Sequence, residues 1–129
     1  MLDIYDAGNK PEERVSMSTH MKKSTIWISY DLGVRGDYEG LYSWLDSHAA
    51  KECGDSVAVL TYAHSGDMAK VLKAELSEAF TIDKRTRVYV VYREQTTNKN
   101  KGKFIFGGRR AAAWAGYASS NLDLTDDEV

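Results

Sequence analysis

The segment that most constrains this chain is Thr25–Asp31, Thr-Ile-Trp-Ile-Ser-Tyr-Asp, followed closely by Gly33, Gly36 and Asp37. Alternating β-branched and aromatic residues specify a strand. The glycines then break it, and Asp37 suits the N-cap of a following helix. Ile26, Ile28 and Tyr30 share one face of that strand, and Trp27 and Ser29 the other. Apolar bulk on both faces is what a central strand carries. Strand one over 25–31 therefore anchors the sheet, and its last residue, Asp31, places a carboxylate at the sheet edge.

Helical spacing of Tyr38, Leu41, Tyr42, Leu45 and Ala49 predicts an amphipathic helix with those residues as its buried stripe. Ser56–Tyr62 is a β-rich run. A shorter strand around 48–53 competes there with an extension of the helix. A second helix opens near Ser65–Asp67, with Met68, Val71, Leu72, Leu76, Ala79 and Phe80 on one face. Arg87–Arg93 is the clearest remaining strand. Residues 95–103 are polar and flexible in composition, 103–106 form at most one more short strand, and Ala111–Tyr117 closes the folded part with Trp114 and Tyr117 as core or dimer anchors. This order predicts an α+β fold: a ferredoxin-like βαββαβ two-layer sandwich with a short C-terminal extension. Residues 1–24, which contain the only proline, Pro11, read as a mobile N-terminal extension, 25–118 as the domain, and 119–129 as an acidic tail.

With 43% hydrophobic residues, eight Tyr and three Trp, 129 residues suffice for one core without metal or disulfide staples. Cys53 is the sole cysteine, which excludes an intrachain disulfide and suits a reducing cytoplasm. No apolar run approaches a membrane span, and the N-terminus lacks the pattern of a secretory signal, so the expectation is a cytoplasmic protein with no membrane partner.

The net charge of −2 conceals a sharp polarity. Residues 31–83 hold ten acids and four bases, whereas 84–110 hold nine bases and one acid, Glu94. Arg87, Arg93, Lys99, Lys101, Lys103, Arg109 and Arg110 are the candidate nucleic-acid-binding set within that stretch, with Lys84 and Arg85 beside it. Lys99, Lys101 and Lys103 alternate, so in an extended chain they project to one side. Tyr89, Phe104 and Phe106 are interleaved and can stack bases if exposed; packing in the core is the competing role, and a solvated surface balanced by the acidic segments is the competing reading of the bases. Lys101–Phe106 resembles an RNA-recognition signature only faintly, because the second aromatic strand it requires is not convincing.

Asp31 is the candidate catalytic and metal-binding residue. One carboxylate is a poor site for a hard cation, which takes several oxygens; a dimer could supply two. The competing role is structural, capping the loop at Gly33 or pairing with Arg35. His20, His48 and His64 lack metal-ligand spacing, and Ser29 and Ser56 lack the context of a catalytic triad. No phosphate loop or dinucleotide fingerprint is present. Arg35-Gly36-Asp37 reads as a turn into a helix.

Ile28-Ser29-Tyr30-Asp31-Leu32 with Asp37-Tyr38 and Leu41, Asp55-Ser56-Val57 entering a strand, and Trp114-Ala115-Gly116-Tyr117 together resemble the small ferredoxin-like proteins related to the second CRISPR adaptation protein, and among them the SinR-family-like relatives. The resemblance spans about residues 25–118. It implies a βαββαβ homodimer that associates with DNA or RNA, either as a metal-dependent nuclease using Mg²⁺ or Mn²⁺ at Asp31 or as a non-catalytic adaptor. Lys51-Glu52-Cys53-Gly54-Asp55 and the polar stretch 95–103 depart from that pattern. The alternative from another class is a non-catalytic protein-interaction module with no nucleic-acid role; the sequence does not decide whether the protein is an enzyme.

Overall fold

A computed structural model describes residues 21–118. The elements are β1 (Lys22–Asp31), α1 (Tyr38–Ser47), β2 (Lys51–Gly54), β3 (Val57–His64), α2 (Met68–Ala79), β4 (Arg87–Glu94) and β5 (Lys99–Phe106). They build one five-stranded sheet in the order β2-β3-β1-β4-β5, with every neighbouring pair antiparallel.

This corrects the expected ferredoxin-like βαββαβ sandwich with a short C-terminal extension. Among the described residues the element order is βαββαββ, with five antiparallel strands and two helices. Residues 95–103 supply a turn and most of β5, which folds back onto β4. Lys99, Lys101 and Lys103 disguise that strand because β5 lies at the sheet edge, where polar side chains are tolerated and deter edge-to-edge association. Asn98 takes φ 59° in the turn, its N–H donating to Glu94 O at 2.8 Å. Strand one also starts earlier than 25, at Lys22, so the domain begins inside the segment read as an extension. The remainder of that extension, 1–20, and the acidic tail 119–129 lie outside the described residues.

Among the described residues the sheet is covered on one face only. Ile26, Ile28 and Tyr30 of β1, Ala58, Leu60 and Tyr62 of β3, and Val88 and Val90 of β4 are buried with Leu41, Trp44 and Leu45 of α1 and Met68, Leu72 and Leu76 of α2. Period-two burial along the strands and three-to-four spacing along the helices meet in this single layer. The expected stripe on α1 is shifted: Trp44 is buried, while Tyr42 is 50% exposed and Ala49 lies past the helix end at φ 55°. Trp44 belongs inside because Glu75 of α2 accepts its indole N–H at 2.7 Å. The same carboxylate accepts from Tyr62 Oη at 2.8 Å and meets His48 Nε2 at 3.1 Å. Burial beside this carboxylate drives the Tyr62 hydroxyl well above the usual tyrosine pKa.

Asp37 caps α1, accepting from the Gly40 N–H at 3.0 Å, and its second oxygen accepts from the Thr81 N–H at 2.9 Å. These two backbone donors, Thr81 the stronger, lower its pKa. The bond to Thr81 ties the start of α1 to the end of α2. Gly40 permits that approach: a Cβ there would lie 2.7 Å from Phe80 Cβ and 2.8 Å from Ala79 O.

A candidate nucleic-acid interface on the uncovered sheet face

The register fixes which side chains occupy the open face. Trp27 lies opposite Val59 of β3 and Val91 of β4, and Ser29 opposite Val57 and Tyr89. Tyr89 in turn lies opposite Phe104 of β5. Trp27, expected to be sandwiched, is 44% exposed, and Val91 is exposed beside it. A central strand in sheet order is therefore half-covered in fact, since both helices pack against the other face.

Two aromatic stations stand on this face. One is Trp27. The other is Tyr89 with Phe104, whose rings meet edge to face with centroids 4.8 Å apart. Gly102 of β5 makes the second station possible, since a Cβ there would collide with the Tyr89 hydroxyl end. The guanidinium of Arg109 hangs over both rings, 5.9 Å from the Tyr89 centroid and 5.6 Å from that of Phe104.

A groove of about 380 Å³ opens where β1 ends, lined by Asp31, Arg87, Tyr89, Phe104, Arg109 and Trp114. Trp114 is 77% exposed and Tyr117 is exposed too, so neither is a core anchor of the single chain. Asp31 lies opposite Arg87 across β1 and β4. Arg87 donates to Gly108 O at 3.2 Å, holding the 107–110 segment against the sheet. Its Nε is buried without an acceptor among the described residues.

Asp31 has two partners. One oxygen accepts from the Gly33 N–H at 3.0 Å, and the other pairs with Arg110 at 3.6 Å. The loop cap at Gly33 is present, and the paired base is Arg110 rather than Arg35. A divalent ion does not fit this donor set within one chain. It takes six or more oxygens as Ca²⁺, or near-ideal octahedral geometry as Mg²⁺. Among the described residues Asp31 is the sole acid lining the groove, and it is already engaged by a guanidinium. Among the described residues no three His, Cys, Asp or Glu side chains converge as metal ligands.

The basic residues singled out in the sequence divide by register. Arg87 and Arg93 of β4 project onto the uncovered face, Arg109 lies over it, and Arg110 reaches Asp31 at its end. Lys99, Lys101 and Lys103 pair with Glu94, Tyr92 and Val90, and so point to the opposite side of the edge strand. Lys101 approaches Glu94 at 3.8 Å. Arg93 is braced by Asn98 at 2.9 Å. Lys23 and Lys51, which sequence reasoning leaves out, also occupy open-face positions, opposite Ala63 and Val59. Only strand register reveals them, because they lie far from the basic segment in the chain.

His64 is buried and hydrogen-bonded to Ser24 at 2.9 Å. No helix among the described residues is long and apolar enough to cross a membrane. No family model matches this sequence, and neither a curated protein nor a solved structure matches it significantly.

Proposed function

We propose that the protein associates with nucleic acid through its uncovered sheet face. The observation that carries this reading is the placement of Trp27, Tyr89 and Phe104 among Lys23, Lys51, Arg87, Arg93 and Arg109, with Asp31 the one acid among the described residues at the face's end. Guanidinium and ammonium groups meet phosphates, and aromatic rings meet bases. The resemblance of about residues 25–118 to the CRISPR adaptation relatives supports the same reading. In this reading the protein is a non-catalytic binder, and Asp31 orients Arg110.

Fluorescence anisotropy of labelled oligonucleotides over a salt series tests the proposal. Arg87→Ala with Arg109→Ala should weaken binding and flatten its salt dependence, whereas Lys99, Lys101 and Lys103→Ala should have the smaller effect. Asp31→Asn should keep or tighten binding by removing a negative charge. Failure of the wild type to bind at low salt contradicts the proposal. Cleavage in Mg²⁺ or Mn²⁺ that Asp31→Asn abolishes would restore the nuclease reading.

One observation favours a second reading, a homodimer. Val59, Trp27 and Val91 form a continuous row of apolar side chains across three strands, the kind of patch a second copy buries. Sedimentation equilibrium of wild type and Trp27→Ala decides it: a dimer abolished in the variant assigns the face to self-association.

A further inference from the structure

Resting on the nucleic-acid reading, we infer that the ligand of this face is an unpaired strand, with successive bases stacked on Trp27 and on the Tyr89–Phe104 pair. Trp27 and Tyr89 are diagonal neighbours: Trp27 faces Val91, and Tyr89 lies two residues along β4 from it. Diagonal positions on adjacent strands are about 7–8 Å apart. Bases stacked in a duplex rise by only about 3.4 Å. Two stations at that separation therefore receive bases from a strand that has been unstacked and extended.

A duplex offers this face little. Its base faces are covered by their neighbours, leaving only base edges in the grooves, and those are read by a helix or ribbon that enters the groove. The open face carries rings on a broad five-stranded sheet instead. Stacking on an aromatic platform uses the π-face that every base presents, so it discriminates paired from unpaired bases without demanding a sequence.

The cations are placed to follow such a strand. Arg109 already lies over the second station, and Arg87 lies beside it in the groove. Arg93 stands two residues beyond Val91 on the same face, and its brace from Asn98 fixes its guanidinium. The strand would run from Arg93 past Trp27 to the Asp31 groove, where Arg87 and Arg109 supply the last positive charges. The β4–β5 turn and the 107–110 segment thus hold cations at both ends of the aromatic track.

The test compares a single strand with the duplex of the same sequence and length, for wild type, Trp27→Ala and Trp27→Phe, with tryptophan fluorescence recorded alongside anisotropy. The expected result is tighter binding of the single strand, roughly 5- to 100-fold weaker binding by Trp27→Ala, and recovery by Trp27→Phe. Stacking on Trp27 should also quench emission in the wild type, and Trp27→Phe should lose that part of the quench, leaving only what Trp114 at the groove contributes. Equal affinity for single strand and duplex, or no effect of Trp27→Ala, overturns the inference while leaving nucleic-acid association standing. Binding of neither form at low salt overturns both. Circular dichroism should show both variants folded, since Trp27 is 44% exposed.

Discussion

Replacing Glu75 with Ala should be among the most damaging single changes in the helical layer. Its carboxylate accepts from Trp44 at 2.7 Å and from Tyr62 at 2.8 Å, two donors on different elements. Trp44 is 7% exposed and Tyr62 1%, so the variant leaves two largely buried N–H and O–H groups without their acceptor. Each such orphaned donor costs about 1–3 kcal/mol. Glu75 itself is 39% exposed, which lets water reach the vacated side and favours the lower end of that range. The expected destabilisation is about 2–3 kcal/mol. With a urea m-value of about 1.5 kcal/mol/M, the unfolding midpoint falls by roughly 1.3–2 M at an unchanged slope. Glu75→Gln keeps one acceptor and should cost about half as much. Urea titrations followed by circular dichroism measure both variants. A destabilisation under about 0.5 kcal/mol for Glu75→Ala, the scale of an ordinary surface change, would refute the buried-donor argument.

Gly40→Ala should destabilise by about 1–3 kcal/mol, because its Cβ meets backbone and Cβ atoms at the end of α2; thermal unfolding tests this. Gly102→Ala should differ: it displaces only the end of the Tyr89 ring, so stability changes little while oligonucleotide affinity falls. The lowered pKa of Asp37 implies a stabilisation fully present above the ordinary aspartate pKa of 3.8 and lost as pH falls below it towards the folded-state value. An acid titration of wild type against Asp37→Asn should show that component missing from the variant. Arg87→Ala removes one cation from the phosphate track, so the log–log salt slope measured with a single strand should become shallower by about 0.7.

Some layers of this molecule are plain in its sequence and others opaque, for identifiable reasons. Strand β1, both helices, β3 and β4 are legible because burial on one side stamps a period of two or three to four on the residues. On α1 that period places Leu41 and Leu45 but selects Tyr42 in place of Trp44, since an indole buried against a carboxylate from another helix leaves no local trace. Strand β5 is hidden by its lysines, and with it the five-stranded sheet. Trp27 suggests a doubly covered strand because hydropathy reports that a residue is apolar, not what lies above it. The basic segment is visible as composition, yet its division between two sides of the sheet depends on register, which a one-residue shift would invert. Lys23 and Lys51 join Arg87 and Arg93 only through strand pairing.

The most direct test of the central claim is an NMR titration of the isotopically labelled protein with a short single-stranded oligonucleotide. The three tryptophan indole N–H signals report three places: Trp27 on the open face, Trp114 at the groove, and Trp44 behind the sheet, held by Glu75. The account predicts that the Trp27 signal moves together with the amides of β1 and β4 while the Trp44 signal stays in place. A still Trp27 signal, with changes confined to α1 and α2 or to the outward side of Lys99, Lys101 and Lys103, would contradict it.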